Sequence, residues 1–310
     1  MNTAPQPYRN YVDIDSINRR LRTDPKGFVE ACESAYFAKL DAAADFIAAR
    51  ADTVGVLLLA GPSSSGKTTS SHRLSTRLAK LGIRTQTVSM DDYFMTIDQS
   101  DPTIDYEAPE RLDIELLRQH IHILAEGGEV RLPHFDFQTG LAGMSDQVIS
   151  REKGTVVIFE GLHALSELFN TAGNAVRIYV SPRMRVTQYN RVYLTAEALR
   201  FMRRCARDIR FRGASFERTL RLWPNVIRGE RRFVIPSKTN ADIVIDTSLA
   251  YEPGLIAPAV AEGLHTLDAK ALADIGLEGI AERAEEFACL DSSLIPEDSL
   301  MREFIGNEGL

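Results

Sequence analysis

Nine residues, GPSSSGKTT from Gly61 to Thr69, follow directly on the apolar run VGVLLLA. Gly61, Gly66, Lys67 and Thr68 meet the spacing G-x-x-x-x-G-K-[ST], with a strand-like run before and a helical pattern after. In such a loop the backbone N–H groups around Gly66 turn inward to hold phosphate oxygens. The positive end of the following helix strengthens their pull. Glycine is required because a β-carbon would bar the close approach. The chemistry expected is binding of a nucleoside triphosphate. Lys67 reaches the β and γ phosphates, the Thr68 hydroxyl ligates Mg2+, and Ser63, Ser64, Ser65 and Thr69 complete the cradle.

A bound triphosphate serves either a switch that hydrolyses it or a kinase that passes the phosphoryl group on. A guanine-reading Asn-Lys-x-Asp string is missing; the nearest, SKTNAD (237–242), has the wrong order. A kinase needs a carboxylate near the γ-phosphate to orient and deprotonate an alcohol. Asp91 and Asp92 stand just past the strand-like IRTQTVS (83–89), at the edge where α/β sheets place ligands, although two acids there also serve as a helix cap. Glu160 closes VVIFE on the same edge and could hold Mg2+, or be an ordinary strand-end acid. Tyr93 and Phe94 line an acceptor pocket or pack in the core.

The elements that position these groups follow from periodicity. Apolar residues recur at three- and four-residue steps from Gly27 to Arg50, as in an amphipathic helix. VGVLLLA (54–60) is continuously apolar, as in a strand buried on both faces. Leu74, Leu78 and Leu81 mark a helix ending near Gly82, and IELLRQHIHILAEG (114–127) marks another. VVIFEG (156–161), VRIYVS (176–181) and ADIVIDT (241–247) are further strands. This alternation predicts a mainly parallel sheet with helices on both faces. EVRLPHFDF and DQVIS flank a turn-rich stretch (138–146) and predict a hairpin beside the sheet. Residues 1 to about 25 show little pattern, and the tail from about 265 is acidic and helical in pattern.

Composition narrows the class. The net charge of −7 argues against a nucleic-acid binder, and no apolar run approaches the roughly 18–20 residues that span a bilayer. Three scattered cysteines and a start without the layout of a signal peptide suggest the cytoplasm. Charge is segregated. Residues 183–232 hold fourteen arginines, no lysine and four acids, whereas 251–310 hold thirteen acids and three bases. An arginine-only cluster suits multidentate phosphate contact, or else forms a solvated helix face. Arg228, Arg231 and Arg232 are expected to pair with the acidic tail. Trp223 reads as a packing anchor, His134 as structural, and His120 and His122, two apart on a helix, as a poor metal pair.

From about Val54 to Pro253 the chain resembles the uridine kinase branch of the phosphoribulokinase/uridine kinase family, through GPSSSGKTT, SMDDYF, DYEAPERLD, LPHFDFQTG, VVIFEGLHAL, RRCARDIRFRG and ADIVIDTSLAYE in order. The resemblance implies that Asp91 is the general base and contacts Mg2+. It also implies that Glu160 is the second acid near the metal and that Thr68 is the metal-ligating hydroxyl. Glu107 falls where the family grips vicinal ribose hydroxyls with an aspartate. Arg204, Arg207 and Arg212 match arginines of a mobile lid that closes over the phosphates, with Arg207 and Lys67 stabilising the transferred group and Arg204 also reaching substrate. Phe135 and Phe137 keep aromatic surfaces for a flat ring. The base-reading histidine position falls on Gly140, and Ala108, Ala214 and Leu222 replace further polar groups.

The expectation is therefore a P-loop α/β fold with an N-terminal helical extension (1–50), a kinase domain (51–264, lid about 200–214) and an acidic helical extension (265–310). The expected activity is ATP- and Mg2+-dependent phosphorylation of a nucleoside-like alcohol, such as the 5′-hydroxyl of uridine or cytidine. A kinase of another sugar, polyol or pantothenate-like alcohol, and a nucleotide-binding regulator with little transferase activity, remain as alternatives. The resemblance also carries an expectation of homo-oligomers.

Overall fold

The structure, a computed structural model, describes residues 10–98, 105, 107–137, 139–169 and 174–307. Tyr106 and Gln138 of the quoted blocks, and the outer ends of the two expected extensions (1–9 and 308–310), lie outside the described residues. The elements are β1 (Asn10–Asp13), α1 (Ile14–Thr23), α2 (Pro25–Ala48), β2 (Val56–Ala60), α3 (Lys67–Lys80), β3 (Arg84–Ser89), α4 (Ile114–Ala125), β4 (Glu129–Asp136), β5 (Leu141–Ser150), β6 (Thr155–Glu160), β7 (Ala175–Ser181), β8 (Met184–Gln188), β9 (Arg191–Leu194), α5 (Ala196–Arg212), α6 (Phe216–Gly229), α7 (Ile235–Ser237), β10 (Ile243–Asp246), α8 (Glu252–His265), α9 (Ala269–Asp274), α10 (Ile280–Glu285) and α11 (Arg302–Ile305).

Five parallel strands form the central sheet in the order β10-β7-β2-β6-β3. β2 lies in the middle, and all five of its residues are buried. Its alternate side chains feed two cores. Leu57 and Leu59 face the larger one, with α2, α3, α5, α8 and the C-terminal segment. Val56, Leu58 and Ala60 face the smaller one, with α4 and the hairpin. A strand covered on both faces reads as an unbroken apolar run, and VGVLLLA does so for that reason.

The hairpin of β4 and β5 is antiparallel, with a register shift between Arg131 and Pro133. Its turn is shorter than expected, because β5 begins at Leu141 inside the stretch that looked turn-rich. Residues 10–23, which appear patternless in sequence, form β1 and α1. Asp13 caps α1, and β1 pairs in parallel with β8, in a three-stranded sheet completed by β9. These strands are only four or five residues long, and the partners of β1 lie far away in sequence, so no local period announces them.

Most long helices begin on a side-chain cap: Asp13, Asp24, Asp113, Thr195 and Ser215 head α1, α2, α4, α5 and α6. α3 does not. It starts at Gly66, whose φ of 83° is left-handed, and no side chain caps its first turn. Among the described residues no helix is long and apolar enough to cross a membrane.

Arg203 and Glu252 join α5 to α8 with no side-chain exposure on either partner, the shared hydrogen bonds including Arg203 Nη2 to Glu252 Oε2 at 2.6 Å. Glu252→Ala leaves that guanidinium buried without its counter-ion. The substitution is expected to cost about 3–5 kcal/mol of unfolding free energy. Urea denaturation measures it, and a loss below about 1 kcal/mol would show that the pair does not anchor the fold.

Candidate active site

The parallel register assembles the site. Glu160, the last residue of β6, lies beside Leu59 on one side and Ser89 on the other. Gly61 and Asp91 each follow those neighbours by two residues, so the phosphate loop, Glu160 and Asp91 converge on one edge. Thr68 donates its hydroxyl to Glu160 Oε1 at 2.9 Å. Lys67 Nζ donates to the Pro62 carbonyl at 3.2 Å, within the loop. Ser89 caps the short turn Met90–Tyr93 by accepting from the Asp91 N–H, which sets where that aspartate stands.

Asp91 is exposed at this edge, with neighbouring protein displacing part of its hydration. Lost hydration raises its carboxyl above the usual range, Lys67 opposes the shift, and Asp92 adds to it. Glu160 is also raised, mainly by burial, with Lys67 and the Thr68 hydroxyl pulling the other way. Both acids therefore bind protons more readily than free carboxylates, and Lys67 is the cation that both feel.

The arginines are less free than a lid reading implies. One buried carboxylate, Asp208, gathers three of them: Arg204 at 3.2 Å, Arg207 at 2.8 Å and Arg212 at 3.7 Å. Arg204 also donates to Ser63 Oγ at 2.9 Å. Arg200 donates to the Ser63 carbonyl at 3.0 Å and pairs with buried Glu230, which accepts from the Ser63 N–H at 3.1 Å. Arg203 reaches the Thr247 carbonyl at 3.0 Å, and Thr247 donates to the Ser65 carbonyl at 2.7 Å. Asp208 and Glu230 were not singled out from sequence. The four-residue spacing of Asp208 from Arg204 and from Arg212 is the signal that could have found the first. No local pattern links Glu230 to Ser63. The expected pairing of Arg228, Arg231 and Arg232 with the acidic tail is not what the structure has. Arg231 faces Glu197 at 3.5 Å, Arg228 bonds Asn225 at 2.8 Å, and Arg232 lies over the Phe233 ring. They sit on and beside α6, where α5 and their own neighbours are closer partners.

The aromatic residues expected at the acceptor pocket lie together. Phe94, Phe135 and Phe137 form an aromatic group with ring centroids 4.9–5.9 Å apart. Phe137 is exposed, whereas Phe94 and Phe135 are buried. Tyr93 is buried, its hydroxyl hydrogen-bonded to His120 Nδ1 at 2.9 Å. Glu107 packs against Gly229, where a β-carbon would come within 2.2 Å of its own. Its Oε2 is buried and finds no hydrogen-bond partner in the protein. Burial, then the charge of Glu230, pushes the Glu107 carboxyl up to about 7, against the pull of Arg204 and Lys67. Burial also lowers the nearby His163 to about 4, so its ring is neutral at neutral pH.

Residues 56–250 match the Phosphoribulokinase / Uridine kinase family. The chain belongs to that family. It is an ATP-dependent kinase with an α/β P-loop fold. It is 30% identical to a uridine kinase of Deinococcus deserti over 208 residues, which cover 64% of this chain and 91% of that one. It is 31% identical to a uridine kinase of a Geobacillus species over 198 residues, 61% of this chain and 84% of that one. Among solved structures, a D-glycerate 3-kinase from Cryptococcus neoformans aligns with TM-score 0.41 and 16% identity over 64% of this chain and 89% of that one. The loop of this kinase has the features a triphosphate needs. Its helix start is uncapped, its glycine is left-handed, and the Ser64 and Ser65 hydroxyls are buried without partners.

The raised Glu107 has a sign that can be tested. Unfolded, it titrates near the ordinary 4.5; folded, near 7. The folded chain keeps the proton longer, so stability falls as pH rises through that window and the penalty is complete above it. Glu107→Gln removes the penalty. The variant should melt higher than the wild type at pH 8, and the gap should close by about pH 4.5. Thermal melts across that range decide it, and an equal gap at both ends would contradict the raised value.

Proposed function

We propose that this kinase transfers the γ-phosphoryl group of ATP to the 5′-hydroxyl of a nucleoside of the uridine or cytidine type. The observation that supports it most is the convergence on one sheet edge of Lys67, the Thr68–Glu160 contact and Asp91. In this reading the phosphate loop and Lys67 hold the β and γ phosphates, and the arginines gathered by Asp208 lie over them. Asp91 accepts the hydroxyl proton as the new oxygen–phosphorus bond forms and the bond to the leaving ADP oxygen breaks. A base whose proton affinity is raised above that of a free carboxylate suits this step. Glu107, with an unpartnered oxygen in the cleft wall, accepts hydrogen bonds from the acceptor's hydroxyls.

The donor set also fits Mg2+. Thr68, Glu160 and Asp91 supply hard oxygens, and the described residues hold no cluster of three or more acids, histidines or cysteines able to cage an ion alone. Magnesium is commonly held by one or two carboxylates together with substrate phosphates. When bound there it neutralises charge on the phosphate oxygens.

A second reading, a kinase of another sugar or polyol, draws on the acceptor wall. Of the three rings only Phe137 is exposed for stacking, whereas Gly140, which brings no side chain, stands where the family reads the base with histidine. ADP release measured over a panel of nucleosides, sugars and polyols separates the two, by which acceptor gives the highest kcat/KM.

Asp91→Asn tests the shared core of both readings. Turnover is expected to fall by roughly 10²–10⁴-fold, the range for loss of a general base. ATP affinity, measured by calorimetry, is expected to stay within a fewfold of the wild type. Undiminished turnover would remove Asp91 from the chemistry.

A further inference from the structure

We propose that Glu303 of α11 sets the affinity of the phosphate loop for its nucleotide, acting as a fixed negative charge beside the first turn of α3 that the phosphates must tolerate. The inference rests on the reading that ATP binds at this loop. It concerns a residue well beyond the family-matching region, which ends at residue 250.

Thr69 is the third residue of α3, in the uncapped first turn where phosphate oxygens are expected. Its hydroxyl donates to Glu303 Oε2 at 2.7 Å. The carboxylate is near enough to the centre to help raise the Glu160 carboxyl. An acid at a helix start is stabilised by the dipole, so Glu303 draws on the same positive end that the nucleotide uses.

The carboxylate is not on a loose tail. Leu300, Met301, Phe304 and Ile305 are fully buried. Leu300 fills the space beside Gly66, its Cδ1 lying 2.7 Å from where a β-carbon on that glycine would stand. The Phe304 ring lies 5.1 Å from the Arg203 guanidinium carbon. Arg302 donates to the carbonyls of Pro296 at 3.2 Å and Gly306 at 2.9 Å, and to that of Ile295, closing the segment on itself. Swinging it away would expose four apolar side chains to water, so α11 stays as a wall of the nucleotide site. The Glu303 charge stays with it. A bound triphosphate meets that charge, and Thr69 must divide its hydroxyl between two anions.

The test is calorimetric titration of the full-length chain with MgATP at low and high salt, on the wild type, Glu303→Gln and Glu303→Asp. Expected is a Kd about three- to tenfold lower for Glu303→Gln at low salt, as for loss of one partly exposed like charge. The gap should narrow at high salt through screening, and Glu303→Asp should stay within about twofold of the wild type. A merely structural role would shift affinity regardless of salt and would not be rescued by aspartate. If Glu303→Gln does not fold, Glu303→Ala is read in the same way. An unchanged or higher Kd in the neutral variant overturns the role of Glu303 while leaving the ATP site standing. Failure of the wild type to bind MgATP removes both.

Discussion

Arg203 is wholly buried between the phosphate loop, α8 and the C-terminal segment. Its guanidinium meets Glu252 on one side and the Thr247 carbonyl on another, with the Phe304 ring nearby. One turn earlier on the same helix, Arg200 meets Glu230 and the Ser63 carbonyl. These two residues fix α5 to the backbone of the loop rather than to a ligand. Burying such charges is tolerable only when they are paired and their N–H groups satisfied, and both conditions hold here. The position of Gly61–Thr69 is thereby referenced to α5, α8 and the segment after residue 230. The arginines further along α5 are then presented from a rigid base. Any lid motion in this chain must hinge beyond that anchored turn, towards Gly213, the left-handed residue that ends the helix.

Much of this was legible in sequence, and the boundary of legibility has physical causes. The central strands announced themselves because burial on both faces demands continuous apolar residues, and Val56–Ala60 and Thr155–Glu160 are of that kind. The phosphate loop was legible because its requirements are local: a left-handed glycine, a helix start and a lysine within nine residues. Asp91 and Glu160 could be placed on one edge because parallel strands align their carboxyl ends. The hidden parts are those whose meaning comes from distant partners. β1 finds β8 across more than 170 residues. Leu300, Met301, Phe304 and Ile305 join the main core from a stretch that reads in sequence only as an acidic helical extension.

Charge shows the same division. In sequence the arginine cluster suggests a lid over phosphates or a solvated helix face, with Arg228, Arg231 and Arg232 meeting the acidic tail. In space the arginines of α5 are satisfied by acids close to them, above all Asp208 on their own helix and Glu230 just past α6. Arginine suits these posts because its planar fork can hold a carboxylate and a carbonyl together, as Arg203 does with Glu252 and Thr247. Lysine carries three donors on one rotatable ammonium and lacks the planar fork that fixes the relative orientation of two partners. The absence of lysine from 183–232 thus reflects clamping as much as recognition of phosphate.

The cleft carries opposed demands. A site for a triphosphate needs positive potential, yet Asp91, Glu107, Glu160 and Glu303 lie at or near it. The carboxyls of the first three are raised, Glu107 and Glu160 mainly by burial and Asp91 by partial loss of hydration. Four acids around one lysine would repel a polyanion unless other groups intervened. Part of the compensation is built in, as the uncapped start of α3 and the arginines on Asp208. Under the proposed function the remainder would arrive with the ligands, as a divalent cation held with the help of Thr68, Glu160 and Asp91, or as hydroxyls donating to Glu107. In that proposal the cleft is poorly matched to a bare anion and better matched to an anion, its metal and a hydroxyl-bearing acceptor together. Under the proposed function, the reactants complete a set of partners that the protein supplies only in part, Thr68 to Glu160 and Thr69 to Glu303, which suits phosphoryl transfer better than simple nucleotide storage.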